Sequence, residues 1–344
     1  MKVLQIIDGY SFNGIAKLLV DIENNIDKDI KFEYLTAIDV CDRFHNLNIS
    51  RKTIRGRLIF NDRLYKFLKK NKYDIVHINS GAFFFTFFCV IIARICKVKR
   101  VIVHSHNTPK INIIKKILIK ILNPFYRSMI DVRLACSKDA SKSLFTKDSI
   151  ILKNGIDIDK YKYNEKTRNK IRKELGIENK TVYGHVGCFN KQKNQEFLID
   201  LFNELKDNSI LLLIGTGRLE SKVKLKAKKL KLEDKVLFLG YRNDIGDLLS
   251  AMDVFLFPSI YDGLGISVIE AQASGLPVYA SLGVPDEANI SSFTKINSFN
   301  VEDWVDSIEV KKINRVDAYK KIKKAGYDIK DTTEELEKIY KDLV

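Results

Sequence analysis

Short runs of aliphatic and β-branched residues alternate with stretches of helical periodicity along most of the chain. Short, mostly apolar runs are typical of parallel strands that helices cover on both faces. Strand–helix alternation of this kind predicts an α/β fold with doubly wound parallel sheets. The predicted strands are residues 3–7, 32–37, 75–78, 101–103, 132–135, 150–152, 182–186, 210–214, 236–239, 254–257 and 277–280.

A polar and charged stretch over residues 153–180 interrupts this alternation near the middle of the chain. It predicts the junction between two Rossmann-like domains with an interdomain cleft. We assign residues 1–155 to the first domain, 156–180 to a linker and 181–325 to the second domain. Residues 326–344 are predicted as a C-terminal helix that can pack back on the first domain.

The most apolar window is residues 82–93, bounded by Gly81 and Arg94. A helix that spans a bilayer needs about 20 apolar residues, so this window is too short. We predict a buried helix here, with an interfacial segment as the alternative, and no integral membrane protein.

Residues 110–123 show a second helical pattern, which we predict to end at Pro124. Isoleucines and leucines form one apolar stripe, and lysines lie largely beside it. Such a helix can lie on an anionic membrane surface. It can equally pack its stripe on the first sheet, and the sequence leaves both interpretations open.

The charge of the chain favours an anionic partner, because 59 Lys and Arg residues stand against 43 Asp and Glu residues, a formal charge of +16. Five cysteines form no C-x-x-C pair, which disfavours a disulfide-stapled secreted domain and a zinc ribbon. We therefore expect a cytoplasmic protein. A recognised nucleic-acid module is absent from the sequence, so we expect no nucleic-acid partner.

The segment after the predicted strand 254–257 carries the strongest candidate chemistry. Gly263 and Gly265 leave room for backbone amides to approach an anion. Asp262 in the loop and Glu270 in the following helix can both accept hydrogen bonds from sugar hydroxyls. The alternative is a turn and helix start with an incidental acid.

Two further loops follow predicted strands of the second half. Lys191 and Lys193 lie just before a helix, where an anion would balance their charge against the helix dipole. Gly215 and Gly217 form a G-x-G turn, but Glu220 stands where a dinucleotide fingerprint needs its third glycine. An NAD site is therefore disfavoured.

In the first half, His104 and His106 end a predicted strand, and at most one of them is expected to face the cleft. The loop from Gly9 to Gly14 follows the first strand and is another place for a ligand. Asp157 and Asp159 form a D-x-D in the polar stretch, which we interpret as a linker turn rather than a metal site.

Five motifs, taken in order, resemble the family-4 retaining glycosyltransferases of GT-B fold, and most closely their bacterial capsular and exopolysaccharide branch. The motifs are NGID (154–157), VGCFNKQKN (186–194), IGTGR (214–218), FLGYRNDI (238–245) and FPSIYDGLGISVIEAQASGLP (257–277). VIVHSHN (101–107) and the loop 9–14 fit the same branch. The resemblance therefore covers nearly the whole chain.

The resemblance implies a GT-B fold in which the second domain binds a nucleotide-sugar and the first binds the acceptor. It implies catalytic roles for His106, Lys193, Asp262 and Glu270, with His104 as the alternative histidine. It implies no cofactor and no metal, because the nucleotide-diphosphate sugar is a co-substrate. The implied donor-binding residues are Gly14, Gly187, Lys193, Gly215, Arg218, Tyr241, Ser259, Gly263, Leu264, Gly265 and Glu270.

Two positions depart from the family pattern. Cys188 stands where the family usually has an arginine that grips the diphosphate, and Lys191 or Arg218 are candidates to replace its charge. Asp262 stands where glutamate is commoner, which shortens the side chain by one methylene.

The resemblance implies a metal-independent hexosyltransferase that moves a sugar from a UDP-sugar to a lipid-linked saccharide acceptor in surface polysaccharide synthesis. We expect it in the cytoplasm, with peripheral attachment to the inner face of the cell membrane as an option. The alternatives are a non-catalytic glycosyltransferase-like partner subunit and a sugar-nucleotide epimerase of GT-B fold.

Overall fold

In a computed structural model, the chain divides into two units. Unit 1 comprises Met1–Gly155 and Ile329–Val344, and unit 2 comprises Ile156–Asp328. The structure describes residues 1–8, 14–37, 45–47, 49, 51, 53–108, 112–147, 149–205, 208–310 and 314–344.

The described part of unit 1 holds a parallel sheet of seven strands in the order β3-β2-β1-β4-β5-β6-β7. These strands are β1 Lys2–Ile7, β2 Lys31–Thr36, β3 His45–Asn46, β4 Ile75–Asn79, β5 Arg100–Ser105, β6 Val132–Ala135 and β7 Ile150–Ile151.

Helices cover both faces of this sheet, so unit 1 has two apolar cores. Leu4 and Ile6 of β1 point into one core, and Val3 and Ile7 point into the other, as the alternation of side chains along a strand requires. The helices are α1 Gly14–Glu23, α2 Ile54–Lys70, α3 Phe83–Ile95, α4 Ile113–Ser128, α5 Lys138–Phe145 and the C-terminal α13 Ile329–Leu343.

Unit 2 repeats the plan with six parallel strands in the order β10-β9-β8-β11-β12-β13. The strands are β8 Thr181–Val186, β9 Ser209–Ile214, β10 Val236–Gly240, β11 Val254–Phe257, β12 Val278–Ser281 and β13 Phe293–Ile296. The helices are α6 Glu165–Leu175, α7 Gln195–Glu204, α8 Glu220–Lys229, α9 Ile245–Ala251, α10 Ile266–Ala273, α11 Val301–Ser307 and α12 Ala318–Lys324, with short 3₁₀ helices at Ile158–Tyr161 and Asp286–Ala288.

The predicted α/β class with doubly wound parallel sheets is confirmed. Each predicted strand appears with bounds that shift by two residues at most. The prediction missed β3, which is only two residues long, and β13, whose sequence FTKI mixes polar and apolar positions. Both lie at the edge of a sheet, where one side of the strand is left unpaired and less apolar surface is buried.

The prediction of a linker over residues 156–180 is wrong, because this segment is part of unit 2 and contains α6. Its polar composition belongs to a surface helix rather than to a connector. The guanidinium groups of Arg168 and Arg172 each lie 2.5 Å from a carboxylate oxygen of Asp253. They also donate hydrogen bonds to backbone carbonyls at the C-terminal end of α9, which stabilises the negative end of that helix dipole.

The prediction that Pro124 ends the fourth helix is also wrong, since α4 continues to Ser128. A proline removes one backbone hydrogen bond, and the last turn of α4 is held instead by its side chains. Tyr126 is fully buried and its hydroxyl lies 2.7 Å from Thr86 Oγ1, while Asn123 Nδ2 donates to the carbonyl of Leu144 at 2.9 Å. Among the described residues, none of the helices combines the length and apolarity needed to cross a bilayer.

Candidate functional site

The candidate residues of the second half gather at one edge of the unit 2 sheet. Each lies in a loop or helix that follows β8, β9, β10 or β11, and these four strands are adjacent and parallel. The carboxyl ends of parallel strands share one edge, which is where open α/β sheets bind their ligands. The residues concerned are Gly187, Lys193, Gly215, Arg218, Tyr241, Ser259, Asp262, Gly263, Leu264, Gly265 and Glu270.

An ion pair between Lys193 and Asp262 joins two of these loops. The two side chains are only 17% and 12% exposed, and the ammonium group also lies 4.5 Å from the centre of the Phe257 ring. The pair sits between the loops that follow β8 and β11. It brings a cation suited to a phosphate and an acid suited to hydroxyls into direct contact.

Hydrogen bonds also connect the loops that follow β8 and β11 next to the Lys193–Asp262 pair. Ser259 Oγ lies 3.2 Å from Asp262 Oδ2 and 3.1 Å from the carbonyl oxygen of Gln192. The backbone N–H of Ile260 donates to the same carbonyl at 2.8 Å. Asp262 is therefore held in place by a side chain and by the backbone of the neighbouring loop.

Gly187 and Gly215 allow the ends of β8 and β9 to approach closely. A Cβ on Gly215, whose φ is +129°, would lie 2.3 Å from the carbonyl oxygen of Gly187. No side chain can be accommodated at that distance. The site therefore needs glycine at position 215 for the backbone itself, whatever ligand it binds.

His185 and Gln195 are site residues that the sequence analysis missed. The fully buried His185 ring places Nδ1 2.9 Å from the carbonyl of Leu256 and Nε2 3.3 Å from Gln195 Nε2. Gln195 Nε2 is also within 3.3 Å of the carbonyls of Gly187 and Cys188. Burial lowers the pKa of His185 to about 4, so the neutral ring donates at Nδ1 and accepts at Nε2. The only sequence signal was a histidine inside a buried strand, just before Gly187.

Glu270 lies in α10 and is 5% exposed. Its Oε1 accepts a hydrogen bond from the Tyr161 hydroxyl at 2.6 Å. Tyr161 belongs to the segment that was predicted as a linker, so its contact with Glu270 was not foreseen. Gly265, with φ +76° and ψ +69°, starts α10 in a left-handed conformation that favours glycine.

Cys188, Arg218 and Tyr241 are exposed side chains at this edge. Partial desolvation raises the pKa of the Cys188 thiol even though the residue as a whole is exposed, while nearby Lys193 and Arg218 act in the opposite direction. A thiol with a raised pKa is uncharged at neutral pH. Cys188 therefore supplies neither the positive charge nor the paired donors of an arginine.

The candidate histidines of unit 1 lie at the end of β5. His104 and His106 are 2% and 6% exposed, and their ring centroids are 3.9 Å apart. His106 Nε2 lies 3.1 Å from Asn79 Oδ1, and His106 Nδ1 lies 3.2 Å from Asn154 Oδ1. Gly14 is the exposed first residue of α1, and the rest of the predicted ligand loop, residues 9–13, lies outside the described residues.

The D-x-D residues take part in local ion pairs. Asp157 lies 3.0 Å from Lys160 Nζ, and Asp159 lies 2.5 Å from Lys162 Nζ. Over the described ranges, no group of three or more histidine, cysteine or acidic side chains is arranged to hold a metal ion.

We expect acidification to destabilise unit 1 more than unit 2. Burial lowers the pKa of His77 to about 3, of His106 to about 4 and of His104 well below its usual value, whereas His185 is the only histidine of unit 2. Unfolded histidines titrate near pH 6.5, so the unfolded chain binds more protons below that pH. The contribution of these buried histidines to the free energy of unfolding is fully present above about pH 6.5. It is lost as the pH falls toward 4, by about 1.4 kcal/mol per pH unit for each histidine.

Urea unfolding at pH 7.5 and pH 5, with hydrogen exchange as the probe of each unit, measures how much stability each unit loses on acidification. The single tryptophan, Trp304, is buried in unit 2 and gives an independent fluorescence signal for that unit. Equal losses of stability in the two units would contradict the account of the buried histidines.

The two halves of the chain match two sequence families. Residues 26–160 match Glycosyltransferase Family 4, and residues 167–328 match Glycosyl transferases group 1. The boundary between the matches lies close to the boundary between units 1 and 2.

Two relatives and one solved structure show how far the similarity extends. The capsular polysaccharide biosynthesis glycosyltransferase CapH of Staphylococcus aureus is 28% identical over 99% of this chain and 98% of its own length. The UDP-Gal:alpha-D-GlcNAc-diphosphoundecaprenol alpha-1,3-galactosyltransferase of Escherichia coli is 30% identical over 63% of this chain and 60% of its own. The structure of Alr3699/HepE of Anabaena, solved with UDP and glucose, aligns over 99% of this chain and 100% of its own, with a TM-score of 0.77 and 18% identity. This similarity shows a shared fold.

Proposed function

Since the chain belongs to the GT-B glycosyltransferases that combine these two families, we propose that it transfers a sugar from a UDP-sugar to a lipid-linked saccharide, with retention of the anomeric configuration. The observation that carries the proposal is the Lys193–Asp262 pair at the strand ends of unit 2. Support comes from the E. coli relative, whose name states a UDP-sugar donor and a diphosphoundecaprenol acceptor. CapH supports a role in surface polysaccharide synthesis.

In this proposal Glu270 binds the ribose hydroxyls and Asp262 binds the transferred sugar. The backbone amides of residues 263–265 and the ammonium of Lys193 bind the diphosphate. His106 contacts the reacting sugar. The donor site in unit 2 is completed by residues at the strand ends: Gly187, Gly215, Arg218, Tyr241 and Ser259.

The reaction breaks the bond between the anomeric carbon and the diphosphate oxygen and forms a bond from that carbon to an acceptor oxygen. The acceptor hydroxyl gives its proton to an oxygen of the departing diphosphate, and UDP leaves with the electron pair of the broken bond. Negative charge therefore develops on the departing diphosphate, where Lys193 and the backbone amides stabilise it. Because Cys188 is uncharged, this proposal assigns the task to Lys193 and Arg218, of which Lys193 is the one shielded from solvent.

A screen of nucleotide-sugars with a polyprenyl-diphosphate saccharide tests the function. We expect release of the nucleotide diphosphate that requires the acceptor, and a product whose anomeric configuration by NMR matches that of the donor. An isomerised nucleotide-sugar formed without acceptor would indicate an epimerase. Absence of both turnover and nucleotide binding would indicate a non-catalytic subunit.

The exposed face of α4 supports attachment to an anionic membrane, where a lipid-linked acceptor resides. Ile119, Asn123 and Tyr126 are the buried residues of α4, so most of the predicted stripe does not pack on unit 1. Leu122 of the predicted stripe packs against the unit 1 core, whereas its other members are 42–72% exposed, as is Phe125: Ile113, Ile114, Ile117, Leu118 and Ile121. Lys115, Lys116 and Lys120 are exposed on the same helix, and each can contribute about 1 kcal/mol at an anionic surface. We place the reaction at the cytoplasmic face of the membrane.

The double variant Ile117→Glu/Ile121→Glu is expected to weaken binding to vesicles with anionic lipid by about tenfold or more, since each isoleucine loses its apolar burial. Leu225→Glu is the matched control, because Leu225 is a 54% exposed helical leucine in unit 2. Co-sedimentation measures both. Unchanged binding of the double variant, or wild-type binding that ignores lipid charge and salt, would contradict the membrane proposal.

A further inference from the structure

A set of buried polar side chains lies on one face of the unit 1 sheet. Gln5 of β1 is in register with His77 of β4, and Asn79 of β4 is in register with His104 of β5. All four are at most 2% exposed. They stand on the face that packs against α13, where the neighbouring positions of the same strands are apolar.

Hydrogen bonds connect this set to Tyr340 of α13. Gln5 Nε2 donates to the Tyr340 hydroxyl at 2.9 Å, and that hydroxyl lies 2.6 Å from His77 Nδ1. Gln5 therefore presents its carbonyl oxygen to the other side, where Asn79 Nδ2 donates to it at 2.9 Å. Asn79 Nδ2 is also 3.3 Å from the carbonyl of His77.

The backbone carbonyl of His77 orients the Asn79 amide, because a carbonyl only accepts and so requires the amide nitrogen on its side, where Gln5 Oε1 also lies. With its nitrogen engaged by two acceptors, Asn79 must present its oxygen to His106 Nε2, 3.1 Å away. An oxygen of this kind accepts only, so His106 Nε2 must carry a proton. Burial lowers the pKa of His106 to about 4, so the ring is neutral at pH 7 and holds a single proton.

We propose that Asn79 is a positioning residue that keeps the proton of His106 on Nε2, so that Nδ1 accepts a hydrogen bond from a hydroxyl group of the sugar substrate. The inference rests on the proposed function, because it takes His106 to meet the sugar. Without a sugar, the Asn154 amide turns over and its N–H occupies the single lone pair of Nδ1, and a sugar hydroxyl takes the place of that N–H when substrate binds. Tyr340 and Gln5 act through Asn79.

The position of the proton can be measured directly by ¹⁵N NMR of the imidazole rings. The sequence has only five histidines, so protein labelled at histidine gives a spectrum that single substitutions can assign. In the wild type we expect the Nε2–H form for His106. In Asn79→Leu we expect the proton to move to Nδ1, where the Asn154 oxygen can accept it.

Activity gives the second readout. Asn79→Leu is expected to lower kcat/KM for the donor by about 10- to 100-fold, the range observed when a group that orients a metal-binding histidine is removed. Tyr340→Phe removes only a hydroxyl, keeps the packing of the ring and is expected to give a mixture of the two proton positions with a smaller loss. Asn123→Leu is the control, because Asn123 is an equally buried asparagine of unit 1 that binds Leu144.

The two readouts separate this inference from the proposed function. A wild type with its His106 proton on Nδ1, or an Asn79→Leu variant that keeps both the Nε2 proton and wild-type kcat/KM, overturns the positioning role. A wild type with the Nε2 proton that transfers no sugar overturns the proposed function and with it the role of Nδ1 toward a sugar. If Asn123→Leu loses as much activity as Asn79→Leu, the effect of Asn79 is structural and the positioning role is contradicted.

Discussion

Replacement of Lys193 by alanine is expected to lower kcat of sugar transfer by about 100- to 1,000-fold, the usual cost of removing one group that stabilises charge developing in a transition state. The ammonium is largely shielded from solvent and stands in contact with Asp262 and over the Phe257 ring. Shielding strengthens its effect on a departing diphosphate. Cys188 offers no second charge from the neighbouring position.

Lys191→Ala is the matched control for this variant. Lys191, a sequence candidate for the missing arginine charge, is exposed in the same loop, two residues away. We expect its removal to change kcat by less than about threefold, because solvent screens an exposed charge. Steady-state kinetics compares kcat of the two variants, and Trp304 fluorescence checks that both are folded. Equal losses for the two lysines would show that general positive charge, rather than Lys193, serves the reaction.

Asp253→Asn is expected to lower the free energy of unfolding of unit 2 by about 3 kcal/mol, the lower end of the cost of breaking a buried ion pair, because the Asp253 side chain keeps 21% of its exposure. Both oxygens of Asp253 pair with arginines of α6, and Oδ2 also accepts from the backbone N–H of Val182 at 2.8 Å. Arg172 is 8% exposed, as is Arg315, whose pKa burial lowers to about 9. Without the carboxylate, this cluster of cations has no neutralising charge at its centre.

Asp244→Asn tests whether this effect comes from burial. Asp244 forms a comparable pair with Arg242, but both side chains are about one-third exposed, and such pairs contribute about 1 kcal/mol or less. Urea unfolding followed by Trp304 fluorescence reports on unit 2 in both variants. Similar midpoints for the two variants would contradict the role given to the buried cluster.

The fold could be predicted from the sequence because its strands are buried on both faces and read as continuous apolar runs. The sequence-based prediction failed where two kinds of structure have the same composition. A polar linker and a surface helix such as α6 have similar composition, and only the contact of Arg168 and Arg172 with Asp253 tells them apart. The continuation of α4 past Pro124 likewise depends on a distant partner, Thr86.

The candidate site shows the same limit. Strand ends and glycines located Lys193 and Asp262 in loops, and Glu270 in the following helix, at one sheet edge, but their partners are far away in sequence. Tyr161 is 109 residues from Glu270. Gln5 and Tyr340, which act on Asn79 and so on His106, lie near opposite ends of the chain. Local patterns carry no information on such pairs, although polar residues inside the apolar strands β1, β4 and β8 marked where partners were needed.

Calorimetric titration with UDP tests the central claim most directly, because it isolates binding at the strand ends of unit 2 from the choice of sugar and acceptor. We predict that the wild type and Lys191→Ala bind UDP alike and that Lys193→Ala binds it at least about tenfold more weakly, a difference of about 1.4 kcal/mol. No heat of binding with the wild type, or equal affinity in all three proteins, would contradict a diphosphate site built on Lys193.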